Sequence, residues 1–346
     1  MNIVGSIFKK PKLVQVITTA EKVVKVKLSN GHEMPGIALG TYLGFDKNGV
    51  IKSENKQLRD AVLNAIDLGY RHFDTAAIYD TEQEIGEAIK MKIDSGDVRR
   101  SEIFITTKLW NTHHKRDEVL TALKESLANL GTDYVDLYLM HWPIGLNKDY
   151  TYSDVDFMET WRGMEDASKL GLAKSIGVSN FNEEQLKRLL KEATVKPVAL
   201  QIEIHPQIIQ TNFVQFAQDN GIVVMAYSPL GSLVPRFGMQ LPGPKMDDPV
   251  LTEIANNYKK TTPQVVLRCL VDRKIVPVVK SVNAKRQSDN IHIFDFSLSK
   301  EEMDKIYAFD SHTRFTLPSF WQDHPYYPFE KIDQPIADPF IKPTSV

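Results

Sequence analysis

The chain has 346 residues, of which 42% are hydrophobic, 25% charged and 9% aromatic, an ordinary globular composition. With 42 Lys+Arg against 44 Asp+Glu the formal charge is -2, so no net basic field is available to hold nucleic acid or an anionic membrane. The single cysteine, Cys269, excludes an internal disulfide and a cysteine-rich metal site, and no apolar run approaches the roughly 20 residues of a membrane-spanning helix.

Residues 1–23 read as an N-terminal extension. Lys9, Lys10 and Lys12 interrupt any secretory apolar region there, and the sequence holds no Asn-X-Ser/Thr sequon, so a cytoplasmic location is expected. A hairpin follows: Val24, Val26 and Leu28 alternate with Lys25 and Lys27, and Asn30-Gly31 predicts a tight turn. From residue 36 onward, short apolar or β-branched runs alternate with segments of helical period. The runs are 36–41, 70–74, 103–108, 135–141, 173–180, 198–205, 222–228 and 275–281, eight in all.

The intervening segments carry helix signals. Leu58, Val62, Ala65 and Ile66 share one face after the first run. Thr81 and Glu84 predict a capping box after the second, and Leu120, Leu123, Leu127 and Leu130 form a stripe that stops at Gly131 after the third. Asn182 precedes Glu183, Glu184, Leu186, Leu189 and Leu190. Thr262-Pro263 predicts a cap with proline at the first helical position. Ser299 and Glu302 predict another box, with Met303 and Ile306 behind it. Strands separated by helices are parallel, and eight such units predict a closed (β/α)8 TIM barrel, one domain spanning 24–346 with a C-terminal substrate loop. The rival, an open dinucleotide-binding sheet, should show GxGxxG after its first strand, and no such motif occurs.

Each run ends in polar side chains: Thr41, Asp74, Lys108, His141, Ser179-Asn180, Gln201 with His205 nearby, Tyr227-Ser228 and Lys280-Ser281. In a barrel all strand C-termini meet at one face, where active sites lie. Taken singly, Asp74 and Lys108 read as a structural ion pair, His141 as a satisfied interior histidine and Tyr79 as an aromatic before a helix cap. Together they suit proton transfer to a carbonyl oxygen. A tyrosine is a poor acid at neutral pH unless a cation favours its phenolate. Lys108 would supply that cation, Asp74 would hold Lys108, and His141 would donate a second hydrogen bond to the developing alkoxide. No metal is called for, because His113-His114, His141 and His205 form no recognised zinc spacing.

From Val24 to Glu330 the chain resembles the aldo-keto reductase family. The resemblance rests on Leu39-Gly40-Thr41-Tyr42, FDTAAIYDTEQEIGEAI from Phe73, ITTKLW from Ile105, LYLMHWP from Leu137, IGVSNF from Ile176, QIEIHP from Gln201, YSPLGS from Tyr227 and VKSV from Val279. It implies NADPH-dependent reduction of aldehydes and ketones, with catalytic Asp74, Tyr79, Lys108 and His141. It implies that Gly40, Thr41, Tyr42 and Asp74 border the cofactor, and that Ser179, Asn180 and Gln201 hold the nicotinamide carboxamide with Tyr227 stacked on its ring. Ser228, Leu230 and Ser232 would follow the pyrophosphate. Lys280, Ser281, Asn283 and Arg286 would surround the adenosine 2′-phosphate, with Asp289 and Asn290 near adenine and ribose. The chain departs from the family pattern at Leu200 (commonly asparagine), Gln207 (tyrosine) and Cys269 (tryptophan).

Aromatic residues concentrate beside this site: Trp110, Trp142, Phe320, Trp321, Tyr326 and Tyr327. Trp110, Trp142, Phe320 and Trp321, with Tyr79 and His141, are the expected substrate contacts, forming a hydrophobic pocket for a small-molecule carbonyl. Resemblance to the insect branch of the family extends that range to steroid ketones such as 3-dehydroecdysone. A monomer is the expected state. The competing reading is a cofactor-binding regulatory or structural module without turnover, against which the intact tetrad argues.

Overall fold

The computed structural model describes residues 23–44, 55–235, 241–336 and 338–340. Of the expected extension only Val23 lies within the described residues. Strands β1 (Lys25–Lys27) and β2 (Glu33–Pro35) form the antiparallel hairpin, with Lys25 opposite Pro35. Its turn is one residue longer than Asn30-Gly31 suggests. Gly31 N–H donates to Leu28 O at 3.0 Å and Leu28 N–H to His32 O at 2.8 Å, so Ser29, Asn30 and Gly31 all lie in the loop. Gly31 takes φ +92°, which its missing Cβ permits.

Eight parallel strands then close a barrel: β3 (Ala38–Gly40), β4 (His72–Asp74), β5 (Phe104–Leu109), β6 (Leu137–Met140), β7 (Ile176–Ser179), β8 (Ala199–Glu203), β9 (Val223–Tyr227) and β10 (Val276–Lys280). They are ordered as in the chain, and β10 returns to β3 through Val278–Ala38 and Lys280–Gly40 pairing. Helices α1 (Asn55–Leu68), α2 (Glu82–Asp94), α3 (Arg116–Leu130), α4 (Phe157–Lys169), α5 (Glu183–Glu192), α6 (Thr211–Asp219), α7 (Pro249–Tyr258), α8 (Thr262–Asp272), α9 (Ala284–Ile291) and α10 (Lys300–Tyr307) surround it. The β9–β10 connection holds two helices, α7 and α8, where the sequence signals only the second.

Side chains alternate across each strand, so each strand feeds two cores. Ala38, Phe104, Leu137, Leu139, Ala199, Val223, Met225, Val276 and Val278 fill the barrel, and Leu28 and Met34 of the hairpin plug its N-terminal end. Leu39, Phe73, Ile105, Tyr138, Val178, Leu200, Val224 and Val279 point outward and pack under the helices. Gly177 is required inside: a Cβ there would stand 2.5 Å from Ala199 O and 2.8 Å from Leu139 Cδ2.

Most caps follow expectation. Asn182 boxes with Gln185, Ser299 with Glu302, and Gly131 ends α3 at φ +61°. Two differ. Thr81 stands at the N-cap of α2, but its side chain makes no capping bond. The cap of α8 is Thr261, boxed with Gln264, so Pro263 falls in the second helical position.

Candidate active site

The period-2 alternation that fills the barrel also aims its last inward residues at one mouth. Gly40, Asp74, Lys108, His141, Ser179, Gln201, Tyr227 and Lys280 lie within the last three residues of their respective strands or directly follow them, in inward register with the core residues below. At the centre lies a buried ion pair. Lys108 Nζ donates to Asp74 Oδ1 at 2.6 Å and to Thr75 O at 2.9 Å. The other carboxylate oxygen, Asp74 Oδ2, accepts from Gln201 Nε2 at 2.7 Å. Thr41 Oγ1 donates to Asp74 O at 2.9 Å, tying β3 to β4. Burial lowers the Lys108 ammonium from its ordinary range, and Asp74 opposes that fall.

Tyr79 ends a single 3-10 turn, Ala77–Tyr79, after β4. Its ring lies 5.0 Å from the Tyr42 ring and 5.6 Å, edge-on, from the His141 ring. Lys108 Nζ sits 5.1 Å from the Tyr79 ring centroid. The expected cation therefore lies over the ring. Burial nevertheless pushes the phenol well above its usual range, and the Asp74 charge adds to that shift. The outcome is a firmly protonated hydroxyl.

Burial, with the nearby Lys108 charge, holds His141 well below the ordinary histidine range, so its ring is neutral. Its Nδ1 and the Trp110 Nε1 are buried with no hydrogen-bond partner among the described residues. Such groups cost free energy unless something else satisfies them. Asn180 Nδ2 donates to His141 O at 3.0 Å and to Ser179 Oγ at 3.2 Å, while Tyr227 Oη donates to Asn180 Oδ1 at 2.8 Å. Asn180 and Ser228 both hold positive φ, +59° and +53°. Ser179, Asn180, Gln201 and Tyr227 thus form one connected wall of the mouth.

Beyond β10, Ser281 Oγ accepts from Asn283 N–H at 3.1 Å, and Asn283 Oδ1 accepts from Arg286 N–H at 3.0 Å. Asn283 is thus the N-cap of α9, at whose first turn Arg286 lies exposed, with Lys280 exposed at the end of β10. Asn290 is buried on the same helix. Asp289 is engaged by Lys285 at 2.9 Å. Gly40 opens the neighbouring strand end, where a Cβ would come within 3.3 Å of Val278 Cγ1.

Two other expected residues have protein partners. Ser232 Oγ accepts from Gln207 Nε2 at 2.6 Å and donates to Pro244 O at 2.7 Å. Leu230 packs against two apolar clusters. The departures from the family pattern are all buried. Leu200 faces the outer core, and burial pushes the Cys269 thiol up to about 12.

Trp110, Trp142, Ile144, Leu146 and Trp321 form an apolar cluster beside Tyr79 and His141, joined by Phe320, Tyr327 and Phe329. Trp110 lies 5.2 Å from His141, and Trp142 lies 5.8 Å from Trp321. Tyr326 instead packs against Phe157 and bonds Asp156, away from this cluster. The sequence reading missed Tyr150 and Phe340, which also join it. Neither carries a periodic signal, and both are far in sequence from Trp110.

A family model, the aldo/keto reductase family, matches residues 36–311. The chain belongs to the aldo/keto reductase family. Among curated relatives it is 46% identical over 303 residues to aldo-keto reductase AKR2E4 of Bombyx mori, covering 88% of this chain and 97% of that one. It is 39% identical over 325 residues to human aldo-keto reductase family 1 member A1, covering 88% and 97%. Among solved structures, silkworm AKR2E5 complexed with NADPH superposes with a TM-score of 0.89 at 42% identity, covering 92% of this chain and 98% of that one. Bombyx mori AKR2E4 in complex with NADP gives a TM-score of 0.85 at 46% identity, covering 90% and 100%. This aldo-keto reductase chain thus shares its barrel with relatives solved with the cofactor its own mouth was expected to take. No helix among its described residues is long and apolar enough to cross a membrane.

Proposed function

We propose that this chain reduces aldehydes and ketones with NADPH, as one catalytic domain spanning 24–346, and that Tyr79 is the proton donor. The observation that carries the reading is the buried Asp74–Lys108 pair at 2.6 Å beside the edge-on rings of Tyr79 and His141. The residues present fit the cofactor. Tyr227 offers an aromatic face at the mouth, and Ser179, Asn180 and Gln201 offer amide and hydroxyl groups beside it. Lys280 and Arg286 flank an asparagine-capped helix start, a combination suited to a phosphate. When bound, NADPH supplies a hydride from its nicotinamide to the carbonyl carbon.

The chain's own residues do the rest. Tyr79 keeps its proton because burial and the Asp74 charge disfavour the phenolate. It can therefore give that proton to the oxygen as negative charge develops there. Neutral His141 carries one ring N–H, and that donor orients the carbonyl oxygen and stabilises the developing alkoxide. Lys108 supplies positive charge close to Tyr79, easing its passage to phenolate, and Asp74 fixes Lys108. Trp110, Trp142, Phe320 and Trp321 exclude water and bind the apolar remainder of the substrate. Apolar aldehydes and ketones are the substrate class, with steroid ketones such as 3-dehydroecdysone at its large end. A monomer in the cytosol, where NADPH favours reduction, completes the reading.

The test is cofactor oxidation with a panel of carbonyls by the wild type and Tyr79→Phe. The substitution keeps the ring and removes the acid, and kcat falls by about 10²–10⁴-fold with NADPH affinity retained. Near-normal turnover of a folded Tyr79→Phe would overturn the assignment of the acid. A wild type that binds NADPH tightly and turns over no carbonyl would be a binding module.

A further inference from the structure

Downstream of Phe329 the chain leaves the aromatic pocket and then returns to it. Gln322 Oε1 accepts from Ile332 N–H at 3.0 Å and Gln322 Nε2 donates to Ile332 O at 3.1 Å. Ile336 N–H then donates to Ser319 Oγ at 3.0 Å. Residues 331–336 are all exposed, so this crossing is held by few contacts. Asp338 Oδ1 accepts from Phe340 N–H at 2.8 Å, a tight Asx turn that aims the Phe340 ring back inward.

That ring meets four aromatic side chains. It stacks on Tyr150 at 5.4 Å and 3°, and on Trp321 at 6.1 Å and 12°. It lies tilted 5.3 Å from Trp110 and edge-on 6.4 Å from Phe320. Trp110 in turn touches His141 at 5.2 Å. A single indole therefore separates Phe340 from the group expected to hold the carbonyl. The position is that of a substrate's distal end: apolar, walled by indoles, and one ring's depth from the reacting atoms.

We propose that Phe340 is a specificity-determining residue whose phenyl ring fills the outer part of the substrate pocket. The proposal rests on the carbonyl-reductase reading and names its substrate preference. Short aldehydes react beneath the ring and gain it as a wall. Rigid polycyclic carbonyls need the same space and bind only by displacing it. The light attachment of 331–336 makes that displacement possible without disturbing the barrel. The cost of displacement falls on large substrates alone, so Phe340 sets discrimination without taking part in the chemistry.

The experiment uses the full chain and Phe340→Ala. With NADPH, kcat/KM is measured for propanal and for a rigid steroid ketone. In the presence of NADP+, the Kd of naphthalene, an unreactive flat probe, is measured by quenching of tryptophan fluorescence. Removing the ring is expected to shift the steroid-to-propanal ratio of kcat/KM toward the steroid by about tenfold or more, and to tighten naphthalene by a similar factor. Phe340→Trp, which enlarges the plug, is expected to move both in the opposite sense. A ratio and a naphthalene Kd that both stay within about twofold of wild type overturn the proposal. The probe separates the two readings. If no carbonyl turns over but naphthalene tightens in Phe340→Ala, the ring fills the pocket and the reductase reading falls. If carbonyls turn over and neither quantity moves, the reductase stands and Phe340 is only part of the tail's packing.

Discussion

Gln201 Nε2 donates to Asp74 Oδ2 at 2.7 Å, joining β8 to β4 across the barrel mouth. With Lys108 on Oδ1, this satisfies both oxygens of a carboxylate that water barely reaches. The amide therefore spends its N–H₂ on the buried Asp74–Lys108 pair and leaves its oxygen for a ligand. Gln201→Leu leaves Asp74 Oδ2 unpaired at a cost of about 1–3 kcal/mol, read as a fall in Tm. Gln201→Glu sets two carboxylates in contact and raises the folded pKa of one of them. A raised carboxyl pKa gives stability that is present at low pH and is lost as pH climbs above about 4. The Gln201→Glu variant should thus lose Tm, relative to wild type, as pH rises from 4 to 7. A constant difference across that range would remove the Gln201–Asp74 contact.

The buried pair predicts a separation of stability from activity. Lys108→Met leaves Asp74 as a buried charge without its cation, a change that typically costs about 3–5 kcal/mol. It also takes away the charge that eases proton loss from Tyr79, so turnover falls by at least about 10²-fold and the alkaline limb of the pH–rate profile moves up. Adding Asp74→Asn to Lys108→Met removes the stranded charge. The double variant is expected to regain much of the lost Tm while staying inactive. A double variant as unstable as the single one would mean that the cost comes from packing and not from charge.

The proposed phosphate site at the start of α9 predicts a cofactor preference. Arg286 lies exposed in its first turn, and its backbone N–H is fixed by Asn283 Oδ1 at 3.0 Å. Loss of one charged hydrogen bond costs about 1.5–3 kcal/mol, so Arg286→Ala should weaken NADPH by roughly one to two decades. NADH carries no 2′-phosphate and should be nearly unaffected. Fluorescence titration of both cofactors at fixed salt decides the matter, and equal losses would assign Arg286 to the fold.

Burial also writes a pH dependence into the fold. His72 and His114 are each lowered to about 3, chiefly by burial; at His72 a hydrogen bond with the Pro35 backbone opposes the fall and Lys108 adds to it, and at His114 the neighbouring His324 and His113 add to it. In the unfolded chain each takes up a proton near pH 6.5. The folded pKa is the lower one, so the stabilisation is full above pH 6.5 and is lost as pH falls toward 3. From pH 7.5 to 5.5 each such histidine removes about 1.4 kcal/mol. His114→Gln abolishes one proton uptake and should flatten the loss of stability over that interval by this amount. Urea unfolding at the two pH values measures it, and an unchanged slope would show that His114 takes up its proton in the folded state as well.

The fold was legible because its signals are local. The alternation that buries Leu39 and Ile105 outward and aims Asp74 and Lys108 inward is written in two-residue steps, and the stripe from Leu120 to Leu130 in steps of three and four. Eight such units leave one common closure. The meeting of Asp74, Lys108 and His141 was legible because strand ends share one rim, so polar residues at corresponding positions must meet. Turn and cap details were less so. The hairpin loop and the α8 cap each fall one residue from their sequence signal; at α8 the neighbouring Thr261 takes the cap while the Thr262 hydroxyl bonds Met246 O.

What the sequence determined by itself is the barrel, its mouth, and the residue types gathered there, all of them consequences of period and position. Only the tertiary structure decided how those residues are shared. Gln201 and Asp74 are 127 positions apart, so their contact arises only when the barrel closes. Tyr150 and Phe340 enter the pocket on loops, where no repeating pattern tells a side chain which way to face. The protonation of Tyr79 follows the same rule. Its pKa follows burial and the charge of Asp74, and both are properties of the assembled site.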